Sequence, residues 1–528
     1  MSNERYTSPT GADIETSVER DPGSAKPSST SSVPDMKKEQ YSGYASGIEA
    51  NKVAAPENAD YQVSFTGDDD PLSPRSMSNA RKWMIVVIIS TTALCVSCTS
   101  SIYAETYAQI MSEFRCSEEV ATLGLSIFVV GLALSPMVLA PLSEFYGRKP
   151  VYIFSLLAFV IWKIPCAVAQ NIQTLLIARF FDGLAGSAFL SVAGGTVGDL
   201  FPAKQLQAPM MLFTISPFLG PELGPILGGF INYYTNWRWT FWVMMIWAGV
   251  QWMMVTFLVP ETYHPVLLRN EARRLRHTSG NESYFAPLEK IDRSVGVTVL
   301  RSTYRPFLLL ALEPMCLNLC IYSSLILGIL YLFFGAFNLV FINNHGFSLW
   351  QCGLSFLGMT VGMILGISTN PFWHKNYLRL LARHEQRTGS PGSEPEYRLP
   401  PAIGGSPLIT IGLLLFGWTT YSHVHWILPI IGSAIFGAGV VMIYSGIFTF
   451  LVDAYPLYAA SAMAANSFSR SMFAAAFPLF GNIMFKNMGY QWASFTLAMI
   501  SLAMAPLPWI FYRYGKWFRM RSSYASKK

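Results

Sequence analysis

The chain has 528 residues, of which 52% are hydrophobic and only 13% charged, with a mean hydropathy of +0.35. A soluble domain carries roughly 25% charge, so the composition excludes an ordinary soluble enzyme and points to a membrane protein. The formal net charge is +6, and the basic residues gather in a few loops rather than one stripe, a pattern that controls topology and speaks against nucleic-acid binding.

Residues 1–80 are rich in Ser, Thr, Pro, Gly, Asp and Glu and poor in large apolar side chains, so they are expected to form a disordered cytosolic tail. They lack the short apolar core and small-residue cleavage site of a signal peptide, which leaves the first span to act as the insertion signal. From Trp83 onward, apolar runs suited to helical spans fall near 83–104, 121–141, 150–168, 174–199, 208–232 and 239–259. A second set falls near 315–341, 349–369, 402–421, 427–452, 459–485 and 491–512. The expected fold is therefore all-α and integral to the membrane, with twelve transmembrane helices in two pseudo-symmetric six-helix bundles. The bundles are placed at 81–262 and 306–513, with a cytosolic central loop at 263–305 and a cytosolic C-terminal tail at 514–528.

Loop charge sets the orientation. With the leader inside, the inner loops hold Arg148, Lys149, Lys204, a run of cations from Arg269 to Arg305 and another from Lys375 to Arg398. The outer loops hold Arg115, Arg238 and Lys486, so both termini are expected in the cytosol. The Asn281-Glu-Ser283 acceptor would then lie on the inner side and carry no glycan. The seven cysteines lie mostly inside apolar runs, where a thiol acts as a small hydrophobe, and no His falls near a span centre to complete a metal site.

Four constellations carry chemistry. The loop after the second span runs from Ala140 to Lys149 and includes Glu144, Gly147, Arg148 and Lys149; a tight glycine turn ending in paired cations can clamp helix ends, with Asp199 as a partner for Arg148. The alternative is that these cations only anchor topology. In the fourth span Arg179 and Asp182 stand three apart on one helical face, either around a polar cavity or as a self-contained ion pair. The fifth span reads Gly220-Pro221-Glu222-Leu223-Gly224-Pro225-Ile226-Leu227-Gly228-Gly229. Its glycines make a flat stripe for close helix approach, its prolines bend the helix, and Glu222 is a buried acid able to carry a proton or to stay permanently protonated. Gly358, Gly362 and Gly366 repeat the glycine spacing in the eighth span. Finally, Asn466 and Arg470 lie inside the eleventh span, where the guanidinium needs water, a carbonyl or a transported anion as partner.

The loop from Ala140 to Lys149 resembles the second-to-third-helix signature of the major facilitator superfamily, Gly-x-x-x-Asp-Arg-x-Gly-Arg-Arg/Lys, with Ala140 and Phe145 departing from it. Arg179 to Gly183 resembles that superfamily's Arg-x-x-Gln-Gly motif, whose Arg is associated with proton coupling, with Asp182 in place of the amide. Gly220 to Gly229 matches every fixed position of its antiporter motif, Gly-x-x-x-Gly-Pro-x-x-Gly-Gly. Stretches such as Asn236-Trp237-Arg238-Trp239, Pro260-Glu261-Thr262-Tyr263 and Tyr455-Pro456-Leu457-Tyr458 narrow the resemblance to fungal twelve-span drug:proton antiporters, with Gly335 departing where many relatives carry an acid.

The resemblance implies a proton-driven exporter of small amphipathic organic molecules working by alternating access, active as a monomer in the lipid bilayer, at the plasma or the vacuolar membrane. Its partners would be a small-molecule substrate and protons. No cofactor is expected, because the proton gradient supplies the energy and the chain has no phosphate-cradling Gly-x-x-x-x-Gly-Lys-Ser/Thr loop. Arg179 and Asp182, with Glu222 in reserve, are the expected coupling residues. Glu144, Gly147, Arg148, Lys149 and Asp199 are the expected cytosolic gate, and Tyr331, Phe334, Phe337, Asn338, Asn466 and Arg470 the expected cavity lining. Two rivals are a proton symporter importing a metabolite and a transporter-like nutrient sensor; an integral-membrane enzyme is disfavoured because no catalytic cluster is visible.

Overall fold

The computed structural model describes residues 61–526, apart from 66, 68–69, 203–204, 291–293, 390–392 and 523. The disorder expected for residues 1–60 lies outside the described residues. Within them the chain forms six long helices, α1 Asn79–Phe114, α2 Glu118–Tyr146, α3 Arg148–Ala167, α4 Ile172–Leu200, α5 Ala208–Tyr234 and α6 Trp237–Leu258. Six more follow: α7 Pro314–Asn344, α8 Leu349–Arg387, α9 Pro400–Trp418, α10 Ile427–Ala454, α11 Ala459–Met488 and α12 Tyr490–Arg521. Eleven of these are long and apolar enough to cross a membrane on composition alone. The twelfth, α11, carries Asn466, Arg470, Asn482 and Lys486, and it packs on α7 and across to α2. A helix so placed need not be apolar all round.

The two halves repeat the same neighbour pattern. In the first, α1 packs on α5, α2 on α4, and α3 on both α4 and α6; in the second, α7 packs on α11, α8 on α10, and α9 on both α10 and α12. The halves meet along two further pairs, α2 with α11 and α5 with α8, which the same repeat relates to each other. Two parallel repeats about an axis along the membrane normal produce this arrangement. Loop charge predicts that the face bearing the Gly147 turn is the inner one.

Three boundaries differ from expectation. The last part of the leader is not free: Gln62 pairs with Phe285 as an isolated bridge, and Phe65 packs edge-on against His264 at 5.5 Å. The aromatic rings of Tyr61 and Phe65 supply apolar surface for these contacts. The central loop contains two helices, His264–Ser279 and Val295–Leu312, the second packed on the inner end of α2. The expected C-terminal tail continues α12 to Arg521, because Arg519 is buried against Glu396 with bonds of 2.7 and 2.9 Å that hold this last turn to the second bundle.

Candidate functional site

At the inner face, Gly147 adopts φ +103, a left-handed value that favours glycine, and a Cβ there would run into the Glu261 carboxylate. That carboxylate accepts from the Arg148 amide at 2.9 Å and the Lys149 amide at 3.1 Å, so Glu261 caps the N-terminus of α3 with a full negative charge. The Arg148 side chain then reaches Asp199 at the end of α4 (3.3 Å) and the Ser143 hydroxyl (2.7 Å), with the Tyr263 ring 4.6 Å away. Glu144 lies four residues before Arg148, across the Gly147 turn, and outside ion-pair distance of it, so Asp199 is the acid that clamps the turn. The Lys149 side chain makes no ion pair among the described residues. Sequence reading quoted Glu261 as a family marker without seeing its role.

Inside the first bundle, Arg179 and Asp182 are fully buried and 3.7 Å apart. Asp182 has a second and closer cation that sequence reading missed: Lys163 of α3, also fully buried, at 3.1 Å. Arg179 donates to the carbonyls of Gly124 (3.2 Å) and Thr99 (3.1 Å) and lies beneath the rings of Phe128 and Tyr103. The group therefore ties α1, α2, α3 and α4 together with two cations around one carboxylate. A lone lysine in the apolar run Val160 to Cys166 was the available signal.

The α5 glycines separate into two faces. Gly220, Gly224 and Gly228 lie against α1, where Cβ atoms would strike Ser97, Ser101 and Ile102. Gly229 lies instead against α8, where a Cβ would come within 2.9 Å of the Leu349 carbonyl, and Gly353 of α8 faces the Pro225 carbonyl in return. Thus the glycines that bring the halves together are Gly229 and Gly353. The expected α8 stripe, Gly358, Gly362 and Gly366, faces α10 within its own bundle, against Ile430, Ala434 and Ala438. Glycine spacing encodes a flat face but not which neighbour fills it. Glu222 shares the Phe218, Pro225 and Gly229 side of α5, turned to the second bundle; it is fully buried and neither carboxylate oxygen has a hydrogen-bond partner among the described residues.

The expected cavity residues divide between the seam and the second bundle's interior. Tyr331 crosses the seam to the Ser100 hydroxyl of α1 at 2.8 Å and lies within electrostatic reach of both Glu222 and Arg470. Phe334 packs on Tyr331 and on Phe356 of α8. Phe337 is buried between Phe356 (4.2 Å) and Phe416 (5.4 Å), and Asn466 donates to Ser323 at 2.7 Å, so both serve the bundle interior. Asn338 opens a π-helical turn, Asn338–Asn344, and its side-chain Oδ1 accepts from the Cys352 thiol. It also faces Glu105 of α1, a carboxyl only 3% exposed with no cation at ion-pair distance among the described residues, which sequence reading passed over because it falls just beyond the first apolar run. Arg470 reaches the seam from α11.

The outer side of the seam is shut. Glu118 at the start of α2 accepts from Asn482 (2.7 Å) and pairs with Lys486 (2.5 Å), both on α11, and Phe230 of α5 stacks on Trp350 of α8. Tyr331 and Phe334 border a gap of only about 10 Å³ there. A recess of about 410 Å³ opens farther out, between Gln109, Glu113 and Trp237, away from the seam.

A chain of two six-helix repeats, joined along α2 with α11 and α5 with α8 and clamped by an Arg–Asp pair beside a glycine turn, has the architecture of an alternating-access carrier. The family model described as Major Facilitator Superfamily matches residues 89–478, and the chain belongs to that superfamily. It is 64% identical over 92% of its length to a protein named efflux pump atB of Aspergillus terreus, covering 94% of that protein. It is 40% identical over 88% of its length to the probable drug/proton antiporter YHK8 of Saccharomyces cerevisiae, of which it covers 90%. Among solved structures it resembles the xylose transporter XylE from E. coli in a partially occluded inward-open conformation, with a TM-score of 0.56 and 15% identity over 81% of this chain and 99% of that one.

Proposed function

We propose that the protein is a proton-coupled exporter of small amphipathic organic molecules, resident in the plasma membrane with both termini in the cytosol and active as a monomer. The observation that carries this reading is Glu222: a carboxyl with no cation beside it among the described residues, on the face of the antiporter-motif helix that meets the opposite half. A bare carboxylate is costly in that setting, so Glu222 takes a proton whenever the seam closes over it and yields it when water reaches the site. Asp182 is paired with two cations, and protonating it would sacrifice two ion pairs. Glu222 is therefore the proton carrier, and the Lys163–Asp182–Arg179 group holds the first bundle's helices in register around it. Each elementary charge moved through 100 mV contributes about 2.3 kcal/mol, to which the pH gradient adds. No cofactor takes part in this cycle. Resemblance to an efflux pump and a drug/proton antiporter supports export over import.

The test is accumulation of a panel of labelled toxicants in an efflux-deficient host. Lower accumulation that a protonophore abolishes, and that Glu222→Gln abolishes at equal surface expression, is the expected result. Higher accumulation than in the empty host would mean import.

A further inference from the structure

Arg470 stands apart from the cations that are ion-paired inside this protein. Arg148 has Asp199, Lys163 and Arg179 share Asp182, and Arg519 has Glu396. Arg470 has no carboxylate within ion-pair distance and no hydrogen bond among the described residues, and its Nε is buried without an acceptor. What surrounds it is aromatic: the guanidinium carbon lies 5.5 Å from the Phe218 ring, 5.3 Å from Tyr444 and 5.2 Å from Phe448. Rings interact with a guanidinium through its charge and its flat faces, but they cannot accept its in-plane N–H bonds. The cage therefore accommodates the cation while leaving its fork of donors open.

The cage also spans the two halves. Phe218 comes from α5 of the first bundle and stacks on Tyr444 of α10 in the second at 4.9 Å, with Arg470 on α11 beside them. Phe218 lies one helical turn from Glu222 on the same side of α5. A fork of unpaired N–H donors, ringed by π-faces at the seam between moving halves, has the chemistry to hold a flat organic anion: the fork takes a carboxylate in the bidentate manner and the rings take the planar body.

We propose that Arg470, with Phe218, Tyr444 and Phe448, forms the subsite for the acidic group of the transported molecule, and that the preferred substrates are planar organic carboxylates. This rests on the export reading for its biological sense. Its test requires neither direction nor gradient, so the two can fail separately.

The experiment is equilibrium binding to the purified full-length protein in detergent, using three probes that share one ring system: 2-naphthoate, 2-naphthamide and 2-naphthylmethylammonium. Wild type is expected to bind the carboxylate at least tenfold more tightly than the amide, with the ammonium weakest. Arg470→Gln is expected to erase the preference while leaving amide binding within about twofold, and Arg470→Lys to keep part of it. Should Arg470→Gln fail to fold, Phe218→Leu gives a second reading, with weaker binding of carboxylate and amide alike and the preference between them kept. A folded wild type that does not distinguish carboxylate from amide, or an Arg470→Gln protein that still does, overturns the proposal. Carboxylate binding without protonophore-sensitive efflux would contradict the export reading and leave the subsite standing.

Discussion

Lys163 Nζ lies 3.1 Å from Asp182 Oδ2 in the sealed interior of the first bundle, although the two side chains come from different helices and neither is exposed. With Arg179 at 3.7 Å on the other side, one carboxylate answers two cations. Removing the carboxylate leaves both cations uncompensated, whereas removing Lys163 leaves a complete Arg179–Asp182 pair. Asp182→Asn is therefore expected to destabilise the protein by about 3–5 kcal/mol and Lys163→Met by clearly less. The double variant should be more stable than Asp182→Asn alone. Thermal unfolding in detergent ranks the three, and a double variant worse than either single would contradict the shared-carboxylate account.

The Arg148–Asp199 pair has a counterpart in the second half. Arg398 just before α9 meets Asp453 near the end of α10 at 2.8 Å, the same places in the repeat as the start of α3 and the end of α4. The two differ in solvent: side chains 9% and 5% exposed in the first pair, 31% and 34% in the second. Burial decides the outcome, so Arg148→Gln should cost about 3–5 kcal/mol and Arg398→Gln only about 0–1 kcal/mol. Chemical or thermal unfolding of the two variants side by side checks the difference, and the Arg398 effect should also shrink at high salt.

Close approach of α1 and α5 depends on Gly224, where a Cβ would overlap the Ser101 hydroxyl and press on the Ile102 amide at 2.6 Å. Gly198 in α4 has nothing within 4 Å of the same hypothetical atom. Gly224→Ala should push the helices apart and cost about 1–3 kcal/mol as overpacking. Gly198→Ala should be neutral or stabilising by up to about 1 kcal/mol through helix propensity. Matched melting curves distinguish them, and equal effects would count against the packing argument.

Glu118 and Lys486 close the outer side across the two halves but remain partly exposed, at 30% and 51%. Such a pair is worth about 1 kcal/mol at most, which is still about fivefold in a two-state population. Lys486→Glu should raise the outward-open population by about that factor, and adding Glu118→Lys should reverse it. Spin-label distances between the outer ends of α2 and α11 report the population directly.

Much of the fold can be read from the amino-acid order, because a lipid-spanning helix must be apolar over about 20 residues and so marks itself. The apolar runs near 83–104 through 491–512 coincide with α1 to α12, even for polar α11, where the flanking turns delimit the run. What local order does not carry is partner choice. Gly358, Gly362 and Gly366 have the spacing of a sliding surface yet face α10, while the single Gly353 meets α5. Lys163 was legible as an anomaly, a cation in an apolar run, but nothing along the chain names Asp182, nineteen residues on, as its mate. Glu105 hid at the edge of a run, and its burial follows only once α7 brings Asn338 to it. Glu261 lies 112 residues beyond the Lys149 amide that it caps. Tertiary folding, not periodicity, makes such pairs.

Coupling of substrate movement to protons through Glu222 is open to direct test with full-length protein in liposomes. With a labelled substrate from the toxicant panel, uphill transport driven by an imposed pH gradient is compared with substrate exchange at zero gradient, for wild type and Glu222→Gln. The variant is expected to lose gradient-driven accumulation at least tenfold yet keep exchange, because the protein still alternates but no longer exchanges a proton. Undiminished gradient-driven accumulation by Glu222→Gln would contradict that coupling.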